Sequence, residues 1–130
     1  IDNAPSSLDL INMKTIAEKV FEPLRKFVGG PIAINSFYRS PKLNSAIGGS
    51  TSSQHCKGCA FDIDDKYGYK TNAEMFKYIQ CNLDYDQMIW EFGDVNNPDW
   101  VHVSYVSEDV NRRRCLIAYK ENGKTKYKEI

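Results

Sequence analysis

The chain of 130 residues has only two histidines, His55 and His102, and each stands in a run of residues suited to chemistry. The first run is Ser53-Gln54-His55-Cys56-Lys57-Gly58-Cys59-Ala60-Phe61-Asp62-Ile63-Asp64; the second is Pro98-Asp99-Trp100-Val101-His102-Val103-Ser104. Successive side chains of a strand point to opposite faces of its sheet. As strands, 60–64 would put Ala60, Asp62 and Asp64 on one face, and 100–104 would put Trp100, His102 and Ser104 on one face. Phe61, Ile63, Val101 and Val103 would then supply apolar faces for a core. If the two strands are neighbours, Asp62 and His102 converge, and His55 reaches in from the loop before the first strand. Two imidazoles and one carboxylate suit zinc and leave a fourth position for water. Gly58 and Ala60 are small enough to let the loop turn and to leave that face uncrowded. Asp99, three residues before His102, would lie on the wrong face of a regular strand. It must therefore sit in the preceding turn if it is to act as a general base. Arg39 offers a planar guanidinium to a substrate carboxylate or a developing oxyanion.

Taken singly, each of these residues has an ordinary explanation. A lone strand His is usually a hydrogen-bonded structural residue, Asp99 a turn residue after proline and Arg39 a solvated cation. Trp100 is a packing residue or a substrate contact. Glu91, between Trp90 and Phe92, is a buried structural carboxylate or a group that orients a metal ligand. What favours the chemical reading is their joint occurrence in order.

The elements that must position these residues are legible from pattern. Leu10, Met13, Ala17, Val20, Phe21, Leu24, Phe27 and Val28 recur at spacings of three and four, the stripe of an amphipathic helix that Pro23 should kink or split. Residues 32–36 read as a short strand. Ser40 before Pro41 reads as an N-cap with proline in the first turn, opening a short helix that ends at Gly48-Gly49. Thr71-x-x-Glu74 is a capping box for a helix to about Cys81, with Ala73, Phe76 and Ile79 as its apolar face. Residues 88–92, 100–105 and 114–119 read as strands, and Asn122-Gly123 as a hairpin turn into a last strand, 124–130. Helices first and hairpin-linked strands later predict an α+β fold, with N-terminal helices packed on a mostly antiparallel sheet. No repeat or linker divides the chain, so 1–130 is expected to form a single domain.

The 17 basic and 17 acidic side chains cancel. That removes the driving force for nonspecific nucleic-acid or anionic-membrane binding. No apolar run approaches the roughly 20 residues of a membrane helix, and the opening Ile1-Asp2-Asn3-Ala4-Pro5 has neither the basic start nor the apolar core of a secretory leader. Cys56-x-x-Cys59 would suit a redox pair or half a zinc site, but no second C-x-x-C completes one. Packing is the simpler use for these cysteines.

His55-x-x-Gly58-x-Ala60-x-Asp62, preceded by Ser53-Gln54 and followed by Asp99-x-x-His102, resembles the zinc D-Ala-D-Ala carboxypeptidase family. That family also contains D-Ala-D-Ala dipeptidases and phage L-Ala-D-Glu endolysins, and shares the Hedgehog/DD-peptidase fold. Ser36-Phe37-Tyr38-Arg39-Ser40 with Asn44 is similar to the family segment whose Arg contacts substrate. The segments 86–93 and 100–104 look closest to small phage-type members. The resemblance spans about residues 10 to 120. It implies one Zn2+ on His55, Asp62 and His102, Asp99 as general base, Arg39 as substrate or oxyanion contact, and Ser53 and Gln54 lining the site. The expected activity is hydrolysis of a stem-peptide amide bond in peptidoglycan, of either the D-Ala-D-Ala or the L-Ala-D-Glu type, by a monomer with no nucleic-acid partner and no membrane insertion. Such a protein would act on the cell wall, as a phage lysin or virion-associated protein or in a periplasmic or secreted form, and a chain this short leaves no room for a separate targeting module. Two alternatives are a catalytically silent, metal-stabilised wall-binding module on the same fold and a redox or zinc-knuckle protein built on Cys56 and Cys59.

Overall fold

A computed structural model describes residues 2–130; Ile1 lies outside the described residues. The chain opens with a 22-residue helical rod made of α1 (Ser7–Ile16), a π-helical segment (Ala17–Phe21) and α2 (Glu22–Val28). Ser6 caps it through a capping box with Asp9, and Gly29, at φ 79°, ends it. Pro23 neither breaks nor splits the rod. It falls in the first turn of α2, just after the wider π turn, where its missing N–H is tolerated. The buried stripe is Ile16, Val20, Leu24 and Val28. Leu10 is instead exposed, because the first turns of α1 overhang the sheet and rest on the loop at 54–58.

Six strands form one mixed sheet in the order β1-β2-β4-β3-β5-β6: β1 (Ala33–Ser36), β2 (Ala60–Asp64), β3 (Gln87–Glu91), β4 (Trp100–Ser104), β5 (Arg114–Glu121) and β6 (Lys124–Glu129). All pairings are antiparallel except β3 with β5. This parallel pair is the one departure from the hairpin reading. The 105–113 connection crosses the start of β3 before entering β5, so β5 lies beside β3 rather than beside β4. The β5–β6 turn is the expected Asn122-Gly123 hairpin, with both residues at positive φ.

Between the strands lie α3 (Pro41–Ala46), capped by Ser40, a single 3-10 turn (Gln54–Lys57) and α4 (Asn72–Asn82), whose capping box pairs Thr71 with Glu74. The α1–α2 rod and α4 cover one face of the sheet. Val20, Leu24, Phe61, Ile63, Met75, Ile79, Met88, Val101 and Val103 make the core there. On α4 the buried stripe is Asn72, Met75, Phe76 and Ile79, with Ala73 only half-buried. The strand alternation read at 60–64 and 100–104 therefore sends Phe61, Ile63, Val101 and Val103 into the core and leaves Asp62 and His102 on the other face.

Candidate metal centre

Asp62 and His102 occupy directly opposed positions of the β2–β4 pair. His102 Nδ1 lies 3.0 Å from Asp62 Oδ1. His55 enters from the 3-10 turn, whose cap Ser53 accepts a hydrogen bond from the His55 backbone N–H at 3.2 Å. The turn ends at Gly58, and only glycine suits that position. Its φ is 73°, and a Cβ there would lie 2.6 Å from the Asp9 carbonyl oxygen of α1. Asn12 Nδ2 secures the same loop by donating to the Lys57 carbonyl at 2.9 Å.

The His55 ring is 2% exposed, and its Nδ1 lies 2.7 Å from the carbonyl oxygen of Phe37. A carbonyl only accepts, so Nδ1 carries a proton, and Nε2 is the ring nitrogen left to face the cleft. That Nε2 is buried, makes no hydrogen bond, and faces Asp62 Oδ1 at 3.3 Å. Nε2 and the carboxylate oxygen thus face each other across a gap that suits a shared cation. One candidate ligand atom from each of His55, Asp62 and His102 lies within 4.8 Å of the others, the one such group of three found among the described residues. Burial works against the charged form of Asp62, but His102 and His55 beside it hold its carboxyl well below the usual carboxylate range. The donor set, two imidazoles and an ionised carboxylate, fits a divalent transition metal of the zinc type.

These residues lie in a cleft of about 900 Å³ on the uncovered face of the sheet. Arg39, Ser53, Gln54, Glu91 and Trp100 line it, so the structure gathers all the candidate residues but one. Arg39 precedes the α3 cap. Its Nη1 donates to Asn44 Oδ1 at 3.1 Å, and its Nε is buried without a partner. Asn44 is itself 2% exposed and donates to the Ser50 carbonyl, tying Arg39 to the loop that forms the cleft's rim. Glu91 is buried in the cleft beside Asp62. Burial first, and the Asp62 charge second, push its carboxyl up to about 8. Trp100 stands opposite Glu91 in the β3–β4 register and packs on Phe92, with ring centroids 5.5 Å apart.

Asp99 is the candidate that the structure leaves outside the cleft lining. It sits in the turn before β4, as its spacing required, but its side chain is exposed. Its backbone is firmly held: the Asp99 N–H donates to the Glu91 carbonyl at 2.9 Å, and its own carbonyl accepts from Asn72 Nδ2 at 3.1 Å. Asn72 also donates to Asp64 Oδ1 and the Pro98 carbonyl, and accepts from the Asp65 N–H. One buried amide thereby joins the end of β2 to the turn before β4. The sequence carried a signal for Asn72, a polar residue four before Phe76 on the apolar stripe of a capped helix.

Asp86, 2% exposed at the entrance to β3, is the other positioning residue that sequence reasoning missed. It accepts from Arg112 Nε at 3.0 Å, from Arg112 Nη2 at 2.7 Å, from the Arg112 backbone N–H at 3.0 Å and from Gln54 Nε2 at 2.9 Å. Cys56 and Cys59 take no part in the metal-ligating group, and all four cysteines are free thiols. A second, mostly apolar cavity of about 720 Å³, bordered by Phe76, Trp90 and Ile117, contains none of the ligating residues. Among the described residues, no helix is long and apolar enough to cross a membrane.

A family model described as Peptidase M15 matches residues 1–104, through the end of β4. No curated protein matches the chain.

Proposed function

The chain belongs to the Peptidase M15 family, and from that premise we propose that it is a zinc peptidase that hydrolyses a stem-peptide amide bond of bacterial peptidoglycan. The observation that carries the reading is the His55 Nε2, buried without a hydrogen-bond partner among the described residues and 3.3 Å from Asp62 Oδ1, beside His102. His55, Asp62 and His102 would hold the ion. When bound, zinc supplies Lewis acidity, which polarises a carbonyl and acidifies water from about 15.7 toward ~7.

The chain's own residues do the rest. Arg39, anchored on Asn44, binds a substrate carboxylate or shares the oxyanion's charge. Asp99 is assigned the general base: it takes the proton of the attacking water and delivers it to the leaving amine. For this its exposed carboxylate must swing into the cleft when substrate binds, about a backbone fixed by Glu91 and Asn72. Ser53, Gln54 and Trp100 contact the peptide. Residues 1–130 act as one catalytic domain, similar to the small phage-type members and directed at the cell wall. Both the D-Ala-D-Ala and the L-Ala-D-Glu bond fit this ligand set.

Asp99, exposed and absent from the cleft lining, favours a second reading, a metal-stabilised wall-binding module without turnover. Digestion of purified peptidoglycan, with mass analysis of the fragments and a chelated control, decides between them. New amine and carboxyl termini are expected only with metal; their absence in the zinc-loaded sample would sink the enzyme reading.

A further inference from the structure

The cleft has a wall outside the family match. Arg39 lies beyond β1 on one side, whereas Arg112, Arg114 and Tyr127 border the cleft from the connection before β5, from β5 and from β6, past residue 104. The charged lining is three arginines against Asp62 and Glu91, in a chain with no net charge. Arg112 and Arg114 are each paired with a carboxylate outside the lining, Asp86 and Glu129, so this wall offers their remaining N–H donors rather than a bulk field.

Arg112 is held in place. Its Nε and Nη2 fork onto the buried Asp86, which no solvent charge screens. Guanidinium carries five N–H donors. Among the described residues Nη1 makes no hydrogen bond, and the Arg112 side chain is 51% exposed. The same carboxylate orients Gln54: one N–H of its amide donates to Asp86, which fixes the amide plane and leaves Oε1 as an acceptor in the cleft wall. A fixed donor and a fixed acceptor thus stand on one clamp. Arg114, on the same strand face as Leu116, adds a second guanidinium, paired at 2.6 Å with the exposed Glu129.

We propose that Arg112, with Arg114 beside it, forms a carboxylate-binding subsite on the β5 side of the cleft. The accepted peptide then carries a free carboxylate on that side of the scissile bond, in addition to the group met by Arg39. The inference rests on the peptidase reading for its choice of ligand, an acidic peptide, and its test is kept separate from turnover.

The probes are a muramyl tetrapeptide with free carboxyls and two forms amidated singly, at the glutamyl α-carboxyl or at the C-terminal carboxyl. Binding to zinc-loaded protein is read before turnover by stopped-flow tryptophan fluorescence, since Trp100 lines the cleft; cleavage is followed separately in the same mixtures. One amidated form should bind at least about tenfold more weakly than the free acid, and Arg112→Gln should abolish that difference. If Arg112→Gln fails to fold with Asp86 unpaired, Arg112→Lys, which keeps a cation there without the fork, should lose most of it. Equal binding of all three forms, or a variant in which every difference seen in the parent survives, overturns the subsite; a difference that survives for one amidated form alone belongs to Arg39. A carboxylate preference without cleavage overturns only the peptidase reading, and cleavage without preference only the subsite.

Discussion

His102 on β4 stands directly across from Asp62 on β2, with Nδ1 3.0 Å from Oδ1. Because the pairing is antiparallel and in register, both side chains leave the sheet on the same face, and any slip by one residue would send one of them into the core. The contact is therefore a property of the strand pair, not of flexible side chains. His102→Ala should retain the fold, lose stoichiometric zinc and abolish hydrolysis. Zinc content by mass spectrometry and thermal unfolding with and without added zinc check this, since a metal bound only by the native state raises its stability. Full zinc occupancy in the variant would remove His102 from the ligand set.

Asp99→Ala should keep the metal and lower kcat by roughly 10²–10⁴-fold. Glu91 is the competing carboxyl, since it lines the cleft and Asp99 does not. Glu91→Gln should cost much less, because the glutamine keeps the size and shape of a side chain to which no proton transfer is assigned. If the two effects are reversed, the base is Glu91.

Glu91 also sets a pH limb of the metal-free protein. Its folded pKa, raised to about 8, lies above the ordinary carboxylate value, so the native state holds a proton that the unfolded state releases. The associated stability is fully present below the unfolded value, near 4.5, and is lost as pH rises through about 8. Urea denaturation of chelated protein across that window should show stability falling with pH, and Glu91→Gln should flatten the fall.

Asp86 gives the opposite limb. Its burial resists ionisation, but Arg112 and Gln54 overcome that and hold its carboxyl below the ordinary value. The stability it contributes is present above an unfolded pKa near 4 and disappears as pH falls through the folded value. Acid unfolding monitored by circular dichroism should start at higher pH in Arg112→Gln than in the parent chain. An unchanged acid midpoint would mean that the clamp carries no stability.

Asn72→Ala should destabilise the protein by about 1–3 kcal/mol per backbone group left unsatisfied. It strands the Asp65 N–H and frees the Pro98 and Asp99 carbonyls. Because it also releases the backbone of Asp99, kcat should drop more than KM changes. Steady-state kinetics at a temperature where the variant is fully folded separates this from simple unfolding.

The local pattern was sufficient for most of the elements and for the convergence of His55, Asp62 and His102. Ser6 with Asp9, Ser40 with Pro41 and Thr71 with Glu74 are capping signals satisfied within four residues, and the alternation at 60–64 and 100–104 sorts core from cleft by geometry alone. The spacing of His55, Asp62 and His102 was legible for the same reason, given that two strands pair. What only the tertiary structure decided depends on groups far apart in the chain. The crossing of 105–113 over the start of β3 makes β5 parallel to β3, and that places Arg112 on Asp86 and Gln54 on the same carboxylate, 26 and 32 residues away in sequence. The place of Asp99 outside the cleft lining was equally out of reach, because Asn72, 27 residues earlier, and the Glu91 carbonyl hold its backbone. Periodicity reports which face a residue takes; it carries no information on which distant polar group will satisfy a buried charge, since that is set by packing.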